Sequence, residues 1–340
     1  MEHMVDKMTI LVCGGAGFIG SNFVRHMIEK YPKAHIVCFD ALTYSGNKDN
    51  LKNLPKDRFT FVKGDIADSA SVARVFKKYQ PEYVVNFAAE THVDRSIHGE
   101  TLEFVQANVL GTTVLLEAVK NSPTVKKFVH VSTDEVYGSL SLRGGKFTER
   151  SPLAPNSPYA ASKAAGDLMV RSFFVTYGVP VVITRSSNNY GPYQHPEKLI
   201  PYSILRLLAG KTIVLYGDGK YVRDWLHVED HCSGIELALF KGKPGEVYNI
   251  GASDEVDNLT LAKKLVQHMG KEKSAIEFVK DRPGHDRRYA LDAGKIRREL
   301  GWKPKHSFEQ SFAPTVQWYL DNQSWVTRAM MRGNVNAHIV

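Results

Sequence analysis

The sequence predicts an α/β protein, a doubly wound parallel sheet followed by a smaller α+β region. Three observations predict it. Up to Arg185, short apolar runs alternate with longer stretches of helical periodicity. Most of the runs are continuously apolar, as in strands buried on both faces of a parallel sheet. Beyond Asn189 turn signals multiply and the alternation is lost.

Taken in order, Thr9–Cys13 is an apolar run closed by glycines, the first strand. Residues 21–30 carry Phe23, Val24, Met27 and Ile28 at helical spacing. Strands follow at Ile36–Phe39, ending on Asp40, and at Phe59–Val62, ending on Gly64 and Asp65. After a helix over 69–79 comes Tyr83–Phe87, which ends on Ala88 and Ala89. The next helix covers 101–120. Phe128–Ser132 then runs into Thr133 and Asp134, and the helix over 157–177 opens on Pro158, a residue favoured at the first helical position. Val181–Ile183 is the sixth strand. Past it come the turns Tyr190-Gly-Pro192, Gly217-Asp-Gly219 and Lys243-Pro-Gly245, with short strands at Ile213–Tyr216 and Val247–Ile250. The expected division is 8–187 for the wound sheet and 188–330 for the smaller region, with some chain exchanged between them. The ends, 1–7 and beyond 332, read as loosely held.

The 340 residues are 43% hydrophobic and 24% charged, which excludes disordered, collagen-like and disulfide-stapled chains. No apolar run of the ~18 residues that cross a bilayer is evident, and no signal region precedes the first strand. A cytoplasmic protein with no membrane partner is the expectation. Cys13, Cys38 and Cys232 share no C-x-x-C spacing, so neither a disulfide framework nor a cysteine metal site is expected. The net charge of +8 fits a nucleic-acid surface or a pocket for small anions. The basic residues are spread along the chain, with one concentration from Lys271 to Arg298 that also contains acids and has no Lys/Arg run interleaved with aromatics, so no nucleic acid is expected as a partner.

Gly14, Gly17 and Gly20, with Phe18 and Ile19 between the last two, lie between the first strand and the first helix. Gly14 permits a tight turn, Gly17 a close approach to a pyrophosphate, and Gly20 close helix–sheet packing. Asp40 follows, closing the second strand, where a carboxylate accepts from ribose hydroxyls and repels a 2′-phosphate. The reading is a Rossmann-type site for NAD. Asp65, with Ile66 beside it, either reaches the adenine or caps a helix. Ala88 and Ala89 leave room at the carboxyl edge.

Tyr159 and Lys163 are four apart on one helix face. An ammonium near a phenol favours the phenolate, so Tyr159 is expected to act as a base with its pKa lowered.

Together these residues resemble the extended short-chain dehydrogenase/reductase family, from about Met8 to Trp318. The adjacent acids Asp134 and Glu135 after Thr133 resemble the nucleoside-diphosphate-hexose 4,6-dehydratases of that family, as do the segments 86–96, 187–192, 197–201, 223–225 and 281–288. The resemblance implies an NAD-dependent lyase in which Tyr159 takes the sugar 4-hydroxyl proton, Glu135 the C5 proton, and a protonated Asp134 helps the C6 hydroxyl leave as water. Thr133 would bond the C4 oxygen and Lys163 the nicotinamide ribose. Thr91 would lie near both cofactor and sugar, and Asn189 near the nicotinamide. Asn188, Lys198, Leu199, Val214, Tyr216, Arg223, Asn258, Arg282 and His285 would contact the nucleotide sugar. The implied donor is dTDP-glucose, with UDP-N-acetylglucosamine or UDP-glucose as the alternative. A non-catalytic NAD-binding sensor is the distant one. The sequence departs from the family pattern at Cys13, His195 and Val214. Relatives also imply a homodimer through the helices 101–120 and 157–177. His227 and His231 are four apart, but with no third ligand evident no metal is expected.

Overall fold

The computed structural model describes residues 8–99 and 101–332; the ends read from sequence as loosely held, 1–7 and beyond 332, lie outside the described residues. Seven strands form the main sheet: β1 (Thr9–Cys13), β2 (His35–Asp40), β3 (Phe59–Lys63), β4 (Tyr83–Asn86), β5 (Lys127–Thr133), β6 (Val181–Ser186) and, from the second half of the chain, β10 (Val247–Ile250). Their order is β10-β6-β5-β4-β1-β2-β3, with every pairing parallel. The order reverses between β1 and β4, the place where such sheets open a crevice beyond their carboxyl ends.

Helices cover both faces. Phe18–Lys30 and Val228–Lys241 pack on one side, with Phe23, Met27, Ile235 and Leu239 buried against Val12, Val85 and Val129. Ser69–Tyr79, Thr101–Lys120 and Pro158–Tyr177 pack on the other, over Leu11, Val84, Phe128 and Val181. Because β1 is buried on both faces, its sequence is uniformly apolar. The six expected strands are present within one to three residues. Val247–Ile250, read from sequence as part of the smaller region, instead extends the main sheet beside β6.

The second half builds a smaller layer from β7 (Asn188–Tyr190), β8 (Ile213–Tyr216), β9 (Val222–His227), β11 (Glu255–Asp257) and β12 (Ile276–Val279). They form a three-stranded sheet, β11-β9-β7, and a parallel pair, β12-β8. Its own core includes Tyr190, Ile204, Trp225, Leu261, Phe312, Tyr319 and Trp325.

Helix 101–120 is not uniform: Gln106–Gly111 is π-helical. Asn108, in that wider turn, bonds both backbone groups of Glu90 (2.9 and 3.0 Å) and the Ser162 hydroxyl (2.8 Å). By length and composition this is the one helix among the described residues apolar enough to span a membrane, at mean hydropathy 1.3 and 39% buried. That amends the expectation of none. Phe104, Leu115, Leu116 and Val119 bury one of its faces in the domain.

Candidate active site

One cavity of about 1240 Å³ runs along the carboxyl edge of the main sheet and under the smaller layer. Every candidate cofactor, catalytic and substrate residue named from the sequence lines it. At its floor, Gly14 has φ +73°, and a Cβ there would lie 2.5 Å from the Ala88 nitrogen. The β1 and β4 loops thus touch at the switch point, and glycine is required. A Cβ on Gly20 would fall 2.2 Å from the Gly14 carbonyl. Gly17 is different: its Cβ would meet nothing closer than 3.4 Å. The fold does not demand a glycine there, whereas a ligand at the helix N-terminus would.

Asp40 fixes this turn. Its carboxylate accepts from the Ala16 and Leu42 N–H groups, each at 2.8 Å. Burial raises its pKa, and those two bonds oppose the rise. Asp65 accepts from the Ala67 N–H at 2.8 Å. Asp68, three residues on, is the cap of the next helix. Asp65 therefore closes a local turn at the cavity wall. Beside it Ile66 is buried at 4% exposure, and Phe18, Ile19 and Ala89 complete this wall. These residues fit an adenine dinucleotide: a bare helix start for the phosphates, and a carboxylate at the end of β2 for the ribose.

Further along, a short 3₁₀ turn (Asp134–Tyr137) follows β5 and turns both acids toward the cavity. Thr133 donates to Asp134 Oδ1 (3.2 Å) and accepts from the Glu135 N–H (3.3 Å). Asp134 is 2% exposed, and its Oδ2 has no partner among the described residues. Burial pushes its pKa well above the usual carboxylate range, and the charges of Glu135 and Asp224 push it further. Glu135 is also raised by burial, but Arg282 and Arg223 oppose the shift. The two adjacent acids are thus held unequal, Asp134 favouring its proton more.

Ser157 caps the helix that carries Tyr159 and Lys163, accepting from the Ala160 N–H at 3.1 Å. Lys163 donates to the Val131 carbonyl at 2.7 Å, and burial lowers its pKa to about 8. Tyr159 corrects the expectation drawn from the Tyr-x-x-x-Lys spacing. Burial, then the charge of Glu135, raise its pKa well above 10, and only a hydrogen bond with Thr133 opposes them. Desolvation outweighs the nearby ammonium, one of whose N–H groups donates to the Val131 carbonyl.

Around the outer cavity, Arg223 is 6% exposed and bonds only the Val222 carbonyl (2.8 Å) among the described residues, with its guanidinium 4.4 Å from the Tyr289 ring centroid. Glu135 and Asp134 feel its charge, but no carboxylate among the described residues pairs with it directly, so it suits an incoming anion. Arg282 is paired with Asp94 at 3.0 Å across the cavity mouth. His285 stacks on Tyr221 at 3.6 Å, bonds Asp281 at 2.8 Å, and is driven by burial to about 4. The Asn188 and Asn258 side-chain oxygens are buried without partners among the described residues, while Val214, Tyr216 and Leu199 line the same end. Asn189 accepts at 2.9 Å from His231, a buried ring held neutral with its pKa near 3.

The sequence reading missed a cluster between the two ends of the cavity. Tyr44 bonds the Thr91 hydroxyl at 3.1 Å, and Lys198 donates to the Thr91 carbonyl at 3.3 Å. Glu197 gathers His92 (3.4 Å), His195 (3.7 Å) and Lys198 (3.5 Å). Burial raises its pKa, but Lys198, the two histidines and a Tyr44 hydrogen bond more than offset that and leave it lowered. His195, a departure from the family pattern, is 5.6 Å from Tyr44 ring to ring. His227 and His231 do not converge. His227 instead lies beside Glu229 and His306, their ligand atoms within 4.8 Å of one another. The His227 and His306 ring centroids are 4.5 Å apart with their planes tilted by 33°, with His227 Nδ1 accepting from the Glu229 N–H and His306 tied to Asp230 at 3.2 Å.

Residues 11–315 match the family model described as GDP-mannose 4,6 dehydratase. The chain belongs to this 4,6-dehydratase family. A dTDP-glucose 4,6-dehydratase of Xanthomonas campestris is 53% identical over 94% of this chain and 95% of its own. Within the same extended family, the dTDP-glucose 4,6-dehydratase of Streptomyces venezuelae, solved with NAD and dTDP bound, superposes with a TM-score of 0.91 at 50% identity, covering 95% of this chain and 100% of that one. A UDP-glucose 4-epimerase of Thermotoga maritima, solved with UDP-glucose, shares the fold at TM-score 0.85 and 33% identity, over 93% of this chain and all of that one.

Proposed function

We propose that this protein is an NAD-dependent dTDP-glucose 4,6-dehydratase, converting dTDP-glucose to dTDP-4-keto-6-deoxy-glucose with net loss of water. The observation that carries this reading is the unequal acid pair. Asp134 is buried and favours its proton, and Glu135 sits beside it under the opposing charges of Arg223 and Arg282. An epimerase has no use for such a pair. Relatives near 50% identity over almost the whole chain support dTDP-glucose as the donor.

Residues 8–187 would hold the cofactor and 188–330 most of the nucleotide sugar. When bound, NAD supplies the acceptor and later the donor of hydride, together with a positive ring charge that favours the Tyr159 phenolate. Tyr159 takes the proton of the C4 hydroxyl, and Thr133 holds the C4 oxygen. Lys163 bonds the ribose and keeps a cation near the phenol. A C4 ketone makes the C5 proton acidic, and Glu135 removes it. Asp134 gives its proton to the departing C6 hydroxyl, which leaves as water. Roof residues from β8 and β9 exclude bulk water, and Arg223 of β9 binds the diphosphate together with Arg282 from the loop after β12. Two copies of the chain would pair through helices 101–120 and 158–177, whose Leu102, Val105, Leu110, Leu168 and Val175 are exposed. Sedimentation velocity tests the pairing.

Tyr159→Phe tests the assignment. It should lower turnover by about 10²–10⁴-fold while leaving dTDP affinity unchanged. A variant that turns over at the parental rate would remove Tyr159 from the mechanism.

A further inference from the structure

The glycine turn is braced from the side away from the cavity. Ala16 lies inside that turn. Its N–H donates to Asp40, and its carbonyl accepts from Asn50 Nδ2 at 2.9 Å and from the Asn47 N–H at 3.0 Å. The Gly17 N–H of the same peptide unit donates to the Gly14 carbonyl at 3.2 Å, so that plane is fixed at both ends. Asn50 is 1% exposed, and its Oδ1 accepts from Trp325 Nε1 at 2.8 Å. Trp325 belongs to the helix Gln323–Arg332, some 275 residues away in sequence. From the same face of that helix, Arg328 pairs with Asp49 at 2.6 Å and Arg332 donates to Asn47 Oδ1 at 2.5 Å. Spacings of three and four put all three on one stripe.

We infer that Trp325 and Asn50 are positioning residues for the cofactor. Trp325 fixes which way the Asn50 amide points, Asn50 holds the Ala16 carbonyl, and the Ala16–Gly17 peptide sets the direction of the unpaired N–H groups at the start of helix 18–30. Those groups face the cofactor diphosphate. The helix Gln323–Arg332 is therefore a working part of the dinucleotide site, although none of its residues lines the cavity. An amide flip of Asn50 would put oxygen against oxygen at Ala16, and the indole N–H forbids it. The inference rests on the NAD reading above.

The test is NAD affinity by calorimetry on three full-length proteins: the parent, Trp325→Phe and Asn50→Asp. The first variant keeps a ring in the Tyr193, Trp318 and Tyr319 cluster and removes only the indole donor. The second keeps the acceptor for Trp325 and places an oxygen against the Ala16 carbonyl. Both should raise the Kd for NAD by about threefold to tenfold, the loss of one buried hydrogen bond. Affinity for dTDP should stay within about twofold, and saturating NAD should restore kcat. A merely structural role would lower the melting temperature and leave the NAD Kd alone. Folded variants that both bind NAD as tightly as the parent, or that lose dTDP affinity in parallel, overturn the relay alone. A parent that binds no NAD overturns the cofactor reading and the relay together.

Discussion

Asp134→Asn separates proton donation from every other role of that side chain. The substitution keeps the size and a hydrogen-bond donor but removes the transferable proton. In the parent the carboxyl is 2% exposed, faces Glu135 and Asp224, and has an oxygen without a partner. These features favour the protonated form, as a general acid requires. Losing such a group costs about 10²–10⁴ in rate, or roughly 3–5 kcal/mol of barrier. Only elimination should feel it. In a rapid-mixing single turnover, the absorbance of reduced nicotinamide should rise at the parental rate and persist, because water loss is slow. The same burial gives a stability signature. A carboxyl raised in the folded state contributes stability that is full below its unfolded pKa, near 3.8, and is lost as pH rises toward the folded value. Asp134→Asn should therefore gain on the parent in melting temperature as pH climbs from about 4 to neutrality. Parental elimination rates in the variant would refute the assignment.

Three further outcomes are expected. Glu135→Gln should oxidise C4 and then stall, read as reduced cofactor without dehydrated product in the same experiment. Gly17→Ala should fold with less than about 1 kcal/mol of lost stability yet bind NAD at least about tenfold more weakly, whereas Gly20→Ala, with a Cβ 2.2 Å from the Gly14 carbonyl, should lose about 1–3 kcal/mol by denaturant titration. Asp94→Asn frees Arg282 from a part-exposed pair worth about 0.2–1 kcal/mol, so dTDP should bind up to about fivefold more tightly in a direct titration.

The strands of the wound sheet were legible because β1, β2 and β4 are buried on both faces and are therefore apolar along most of their length. The NAD turn was legible because three glycines answer three separate steric demands on one short segment. The edge strand Val247–Ile250 was not, since four apolar-rich residues pair equally well in either layer and only tertiary packing chooses. The phenol of Tyr159 was misjudged for a related reason. Spacing reports that Lys163 is near, but not that burial outweighs it or that Lys163 donates a hydrogen bond to the Val131 carbonyl. The roles of Glu197 and Tyr44 escaped notice because their cluster joins three distant segments, at 44, 91–92 and 195–198, with no local pattern to mark it. The Trp325–Asn50 contact is farther still from any sequence signal.

The most direct test of the account is mass spectrometry of the products after incubating the protein with NAD and, separately, dTDP-glucose, UDP-glucose and UDP-N-acetylglucosamine. Loss of one water from dTDP-glucose, and from neither of the others, is the predicted result. Unchanged mass with dTDP-glucose, in a preparation that binds both NAD and dTDP, would contradict it.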